Sequence, residues 1–216
     1  VQTAAAFAGG FAPPAVNNTE EYGGSSWTAG GNLPSTRSSS GGAGTQTSGV
    51  LFGGFTGGPP YNGVGTTDEY DGSSWTNSGN LNTARRALMG DGTQTAALAM
   101  GGDLTPGTVT GSTEEYNGST WTESGAMGTA RYSYGSSKAG AQDAAFAFGG
   151  LPGSLAPSEK YNGTSWSSDA SLATGRGYGA GFGTQSAAVM AGGDPVTNAT
   201  EEYTVSFSAS RGFDVS

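Results

Sequence analysis

Four ten-residue segments of this chain are near copies of one another: TEEYGGSSWT at 19–28, TDEYDGSSWT at 67–76, TEEYNGSTWT at 113–122 and SEKYNGTSWS at 158–167. TEEY returns at 200–203. Trp27, Trp75, Trp121 and Trp166 follow one another at intervals of 48, 46 and 45 residues. Each of Tyr22, Tyr70, Tyr116 and Tyr161 stands five residues before its Trp and fifteen before an Arg, namely Arg37, Arg85, Arg131 and Arg176. A period in this range marks a propeller or another stacked array, in which each unit buries its apolar face only against its neighbours.

A second constant stretch follows each Arg: a small-residue run, then an apolar segment ending in a Gly pair. These read SGVLFGG to Gly54, AALAMGG to Gly102, AAFAFGG to Gly150 and AAVMAGG to Gly193, with AAAFAGG to Gly10 at the start. Each unit thus holds four strand candidates: a Gly-rich one after the Arg, the apolar one, the acidic-Tyr one, and one beginning near the Trp. With 41 Gly and many Ser and Thr, the chain is poor in helix formers and rich in turn formers.

Four antiparallel strands per unit of this length make a propeller blade. The expected fold is therefore all-β, a single five-bladed β-propeller of four-stranded antiparallel blades over residues 1–216. Blade 1 is drawn from 211–216 plus 1–36, blade 2 from 37–84, blade 3 from 85–130, blade 4 from 131–175 and blade 5 from 176–210. The apolar and acidic-Tyr strands, the last ending in Tyr203, occur five times, but complete Arg-led strands only four times. Arg211, followed by Gly212 and Phe213, supplies the fifth, so the C-terminal strand is expected to close the ring by joining the N-terminal blade. Runs such as RSSSGGAG and RGYGAGFG suit strands crowded around a narrow axis.

The order Arg, apolar strand, Gly-Gly, acidic-x-Tyr, short turn, Trp resembles the kelch repeat over essentially the whole chain. Segments such as EEYNGSTWTESG and GTQTAALAMGG are also similar to the regular kelch-like propellers of tail and virion proteins of marine bacteriophages. Five blades are fewer than kelch domains usually have, and the fifth unit lacks its Trp. The phage resemblance implies a virion or extracellular setting, as part of a tail fibre or other appendage.

The chain has neither Cys nor His. Disulfides, thiol nucleophiles, Ser-His-Asp triads and zinc sites built on Cys or His are therefore not expected, nor is the copper site that a kelch-type oxidase builds from His and a Cys-modified Tyr. Seventeen acidic against eight basic residues, with no basic cluster, argue against a nucleic-acid partner. No run of eighteen apolar residues is present, so no membrane insertion is expected. Nor does a basic, then apolar segment mark a targeting signal. Val1 in place of an initiator Met suits a processed or partial chain. No cofactor and no metal are called for.

Groups that recur in every unit read as scaffold. The acids before each Tyr could form a carboxylate ring for a metal or for acid/base work, but their recurrence beside Arg37, Arg85, Arg131, Arg176 and Arg211 points to Arg-carboxylate pairs tying strands together. The four Trp and their Tyr read as packing between blades, and the Asn-Gly and Asp-Gly pairs as hairpin turns.

Divergence is concentrated between the Gly pair and the acidic-Tyr strand: FAPPAVNN (11–18), FTGGPPYNGVGT (55–66), DLTPGTVTGS (103–112), LPGSLAP (151–157) and DPVTNA (194–199). Strand alternation brings these loops to one face, where binding residues on a rigid frame belong. Phe11, Asn17, Phe55, Tyr61, Asn62, Asp103, Leu104, Leu151 and Asp194 are its candidate binding residues. The expected function is a non-catalytic attachment or interaction module for a surface glycan or protein. The alternatives are an architectural propeller packed among neighbouring virion subunits and, third, a carboxylate-dependent glycan hydrolase.

Overall fold

The computed structural model describes residues 3–138 and 140–205. Within them there is no α-helix, and eighteen short strands form five separate antiparallel sheets. The chain is a five-bladed β-propeller, with the blades in a ring.

Blade 1 holds β1 (Ala5–Ala8), β2 (Thr19–Tyr22) and β3 (Trp27–Ala29). Blade 2 holds β4 (Gly41–Thr45), β5 (Ser48–Phe52), β6 (Thr67–Tyr70) and β7 (Trp75–Ser78). Blade 3 holds β8 (Met89–Thr93), β9 (Ala96–Met100), β10 (Thr113–Tyr116) and β11 (Trp121–Ser124). Blade 4 holds β12 (Gly135–Ser136), β13 (Phe146–Phe148), β14 (Ser158–Tyr161) and β15 (Trp166–Asp169). Blade 5 holds β16 (Ala180–Gly183), β17 (Ala187–Ala191) and β18 (Thr200–Thr204). Each sheet runs strand to strand in chain order. The three-stranded blades are the first and the last, and the closing strand expected from 211–216, with Arg211, lies outside the described residues.

The hairpin between the last two strands is a four-residue loop, because Tyr and Trp pair directly across it: Tyr22 with Trp27, Tyr70 with Trp75, Tyr116 with Trp121 and Tyr161 with Trp166. The first loop side chain closes the turn. Asp71 Oδ1 accepts the N–H groups of Ser73 and Ser74, and Asn117 and Asn162 do the same in their blades. The following Gly72, Gly118 and Gly163 have φ of 92, 93 and 91°, a conformation that a Cβ disfavours.

Near the axis the inner strands touch backbone to backbone. A Cβ on Gly90 would stand 2.6 Å from the Gly42 carbonyl oxygen, and one on Gly181 2.4 Å from the Ser136 nitrogen. Small residues in these strands are thus a steric requirement. Just before them Ser39, Ala87, Ser133 and Tyr178, all at positive φ, link the blades in sequence: Ala87 N–H donates to Ser39 O, Ser133 N–H to Ala87 O and Tyr178 N–H to Ser133 O.

The core is divided among the joints between blades. Between blades 2 and 3 it consists of Val50, Phe52, Leu81, Leu88, Ala97, Ala99, Tyr116 and Trp121. Equivalent clusters form around Tyr134 and Tyr161 in the next joint and around Phe148 and Met190 in the one after.

Candidate functional site

The site begins with the repeat Arg. Arg37, Arg85, Arg131 and Arg176 are buried and pair with Asp68, Glu114, Glu159 and Glu201 at 3.0, 3.1, 2.7 and 3.0 Å. For Glu20 the corresponding Arg211 lies outside the described residues. In blades 2 to 4 the same guanidinium also binds the base of the variable loop. Arg37 Nη1 donates to Gly53 O and Thr66 O, Arg85 Nη1 to Gly101 O and Ser112 O, and Arg131 Nη1 to Gly149 O and Pro157 O. In each case the two carbonyls flank the loop. One Arg therefore pinches the loop shut at its root, and the loop can change length and composition without moving the blade.

Burial pushes the Arg37 guanidinium below its ordinary value and the Asp68 carboxyl above its own, against their mutual attraction. The Nε–H groups of Arg37, Arg85 and Arg176 find no partner. The clamp is thus a costly device, and its gain lies in fixing geometry.

Neighbouring blades are latched by three further bonds. Trp75, Trp121 and Trp166 donate their indole N–H to Thr19, Thr67 and Thr113 of the preceding blade, each at 2.9 Å. Tyr70, Tyr116 and Tyr161 donate to Glu21, Glu69 and Glu115 of the preceding blade, each at 2.5 Å. Burial and then the Glu69 and Glu115 carboxylates push the Tyr116 and Tyr161 hydroxyls up to about 12. The third bond went unread in the sequence: Gln46, Gln94, Gln142 and Gln185 reach back to the carbonyls of Tyr22, Tyr70, Tyr116 and Tyr161. Their signal was the recurring GTQ or GAQ before each apolar strand. Trp27, in blade 1, is 52% exposed.

On this frame the variable loops stand side by side. Phe11 in the first loop lies 5.9 Å from Phe55 and 6.4 Å from Tyr61 in the second, centroid to centroid, and Phe55 and Tyr61 meet edge to face at 5.4 Å. Gly63 N–H donates to Leu104 O, joining the second loop to the third, and Ser154 Oγ donates to Asp194 O, joining the fourth to the fifth. Phe11 is half exposed, Asn62 and Asp194 are exposed, and Asn17, Tyr61, Leu104 and Leu151 are partly buried. Asn17 donates to Leu33 O, a bond inside the scaffold.

Two of the candidates lie beneath the surface. Phe55, 7% exposed, pairs with Ser38 through two backbone hydrogen bonds and lies under the Arg86 guanidinium, 5.8 Å from its ring centroid. Asp103, 2% exposed, pairs with Arg86 at 2.8 Å and accepts the Thr108 N–H. Both are buttresses beneath the face, because their loops fold back over them.

Sequence reasoning also missed the residue after each Arg. Ser38, Arg86, Tyr132 and Gly177 pair with the first loop residues Phe55, Asp103, Leu151 and Asp194. They belong beside the loops, and their divergence next to an invariant Arg was the available signal. Around Phe55, Pro60, Tyr61 and Asn62 the second loop forms a hollow of about 240 Å³. Aromatic rings beside amide and hydroxyl groups can hold a ligand that is polar at its rim and apolar on its faces. Among the described residues no group of three or more acids is placed to hold a metal ion. No protein-family model matches the chain and no curated protein matches it, and the grouping that its structure establishes is the five-bladed β-propeller.

Proposed function

We propose that the protein is a non-catalytic attachment module that recognises a surface glycan through the first two variable loops. The carrying observation is the aromatic group of Phe11, Phe55 and Tyr61 beside Asn62, half exposed at Phe11 and seated on a buried clamp. A saccharide ring offers C–H groups on its faces and hydroxyls at its rim, the complement of this surface. The kelch-like order of the repeat and its likeness to propellers of marine phage tail and virion proteins support a place in a tail fibre or virion, outside the host cell.

The test is a screen of the full chain on an array of microbial and algal surface glycans, with a Phe11→Ala, Tyr61→Ala variant alongside. Phe55 is left intact because it is buried. Selective binding by the wild type, lost in a variant of unchanged melting temperature, is the expected result. Silence across the array overturns the glycan reading and favours protein contacts within an assembly.

A further inference from the structure

The charge of the chain is spread unevenly over the ring. Of its 17 acidic residues two lie in the five variable loops, Asp103 and Asp194, and no Lys or Arg lies there. Five of the eight basic residues are the repeat Arg, Lys160 pairs with Asp169, and Lys138 Nζ donates to Gly90 O of an inner strand. That leaves Arg86 as the cation that stands free of these roles among the described residues. It takes the place that Ser38, Tyr132 and Gly177 hold in the other blades, opposite the first residue of the loop. Its Nη2 donates to Asp103 Oδ2 at 2.8 Å and its Nε–H is buried, yet the side chain keeps 20% of its exposure. The other N–H groups on Nη1 and Nη2 bond to nothing among the described residues. Tyr132, at the equivalent position of blade 4, is partly buried, and its hydroxyl likewise has no partner among them. Burial first, then Tyr178 and Asp103, raise this hydroxyl above its ordinary value against the pull of Arg86. It thus lies in the field of the Arg86–Asp103 pair and stays a donor at neutral pH.

We propose that Arg86, with the Tyr132 hydroxyl of the next blade, is a subsite for a carboxylate or sulfate group on the bound glycan, so that the ligand is an acidic saccharide. This rests on the reading of the loop face as a glycan site. Phe55 lines the hollow of the second loop and carries the Arg86 guanidinium over its ring, 5.8 Å from the centroid. A sugar ring seated beside Tyr61 and Asn62 therefore has a cation one side chain away. The guanidinium fork matches the paired oxygens of a carboxylate or sulfate, and it gives up its water more readily than an ammonium. Asp103 is 2% exposed and sits beneath the face. It holds the guanidinium in place and is a positioning residue. The net charge of −9 works little against an acidic ligand here. Exposed charges more than about 8 Å apart are largely screened at physiological salt, and the exposed acid of the loops, Asp194, belongs to the fifth.

The experiment is a binding titration of the full chain against pairs of immobilised polysaccharides that differ in the acidic group alone: a sulfated galactan and its desulfated form, and a polyuronate and its carboxyl-reduced form. The wild type is compared with Tyr132→Phe and with an Arg86→Gln, Asp103→Asn double variant, which leaves no buried charge unpaired. The wild type is expected to bind an acidic member at least about tenfold more tightly than its neutral partner. The double variant is expected to bind both alike, and Tyr132→Phe to fall between. Equal binding of acidic and neutral members by the wild type overturns the acidic subsite and leaves the glycan reading standing. An acidic preference that survives the loss of Arg86 overturns the assignment to this residue. A wild type that binds no member of either pair overturns the glycan reading and this subsite with it. Should the double variant yield no folded protein, Arg86→Lys is measured, with binding to the acidic member several-fold weaker than the wild type expected and equal binding overturning the assignment.

Discussion

At the scale of single residues the molecule is governed by its buried charges. The side chains of Arg85 and Glu114 are both fully excluded from solvent. Moving two ions out of water costs several kcal/mol each, and an attraction at close range returns this only when the other donors and acceptors are also met. Glu114 meets this condition through Arg85 and through the N–H groups of Asn82 and Thr83. Glu114→Gln keeps the shape but leaves the Arg85 charge unbalanced, and is expected to lower stability by about 3–5 kcal/mol. Glu123→Gln, on an exposed position of the next strand, is expected to change it by no more than about 0.5 kcal/mol. Urea unfolding of the two variants checks this, and equal losses would contradict the buried clamp.

At the scale of elements the hairpins between the last two strands offer a comparison internal to the chain. Asp71 stands where Asn117 and Asn162 stand in later blades, and makes the same bonds to the turn. The backbone N–H of Ser74, then the hydroxyl and N–H of Ser73, lower the Asp71 carboxyl from 3.8 to about 2. A carboxyl held below its unfolded value adds stability that is complete above 3.8 and is lost as pH falls toward 2. Asn has no such term. Asp71→Asn is therefore expected to match the wild type at neutral pH and to lose less stability between pH 4 and pH 2, seen as a flatter trend in urea midpoints. Parallel trends for the two proteins would refute the account.

For the whole molecule the question is closure. The described residues leave Phe7 60% exposed, Phe182 50% and Trp27 52%, all in the first and last blades. Blades 2, 3 and 4 are each latched to the one before by Trp, Tyr and Gln, and blade 5 to blade 4 by Gln185 and by Tyr203 donating to Asp169, so among the described residues the first and last blades are joined least. If residues 211–216 supply the remaining strand of blade 1, as the repeat order implies, their removal uncovers Phe7 and Phe182 for good. At about 1.5 kcal/mol or more for each side chain, the loss is about 3 kcal/mol, or roughly 6–12 °C in melting temperature for a chain of this size. An unchanged melting curve for the truncated chain would reject closure by this segment.

Much of this architecture was legible in the sequence because its signals are local or strictly periodic. The intervals between Trp27, Trp75, Trp121 and Trp166 carried the period, the five apolar and acidic-Tyr segments the number of blades, and the order of apolar, acidic-Tyr and Trp segments the strands within each. The Gly-rich runs pointed to the crowded axis where Gly90 meets Gly42. The Gln latches were harder to see: each ends on a backbone carbonyl of another blade, and a carbonyl leaves no mark in the sequence. The candidate face was legible as a set of loops, but not which of its residues look outward. Phe55 and Asp103 read like their exposed neighbours until the loops are seen folded over them.

By itself, then, the sequence determined the repeat, the strand order, the turn chemistry and the pairing of an Arg with an acid, since each depends on residues at fixed separation along the chain. Only the tertiary structure decided which acid goes where. Adjacent carboxylates on a strand point to opposite faces of the sheet, so Asp68 turns to Arg37 within blade 2 while Glu69 meets Tyr116 of blade 3. It likewise decided which loop residues support the face and which form it. These are contacts between segments some 46 residues apart, and burial there is a property of the assembled ring that no single unit carries.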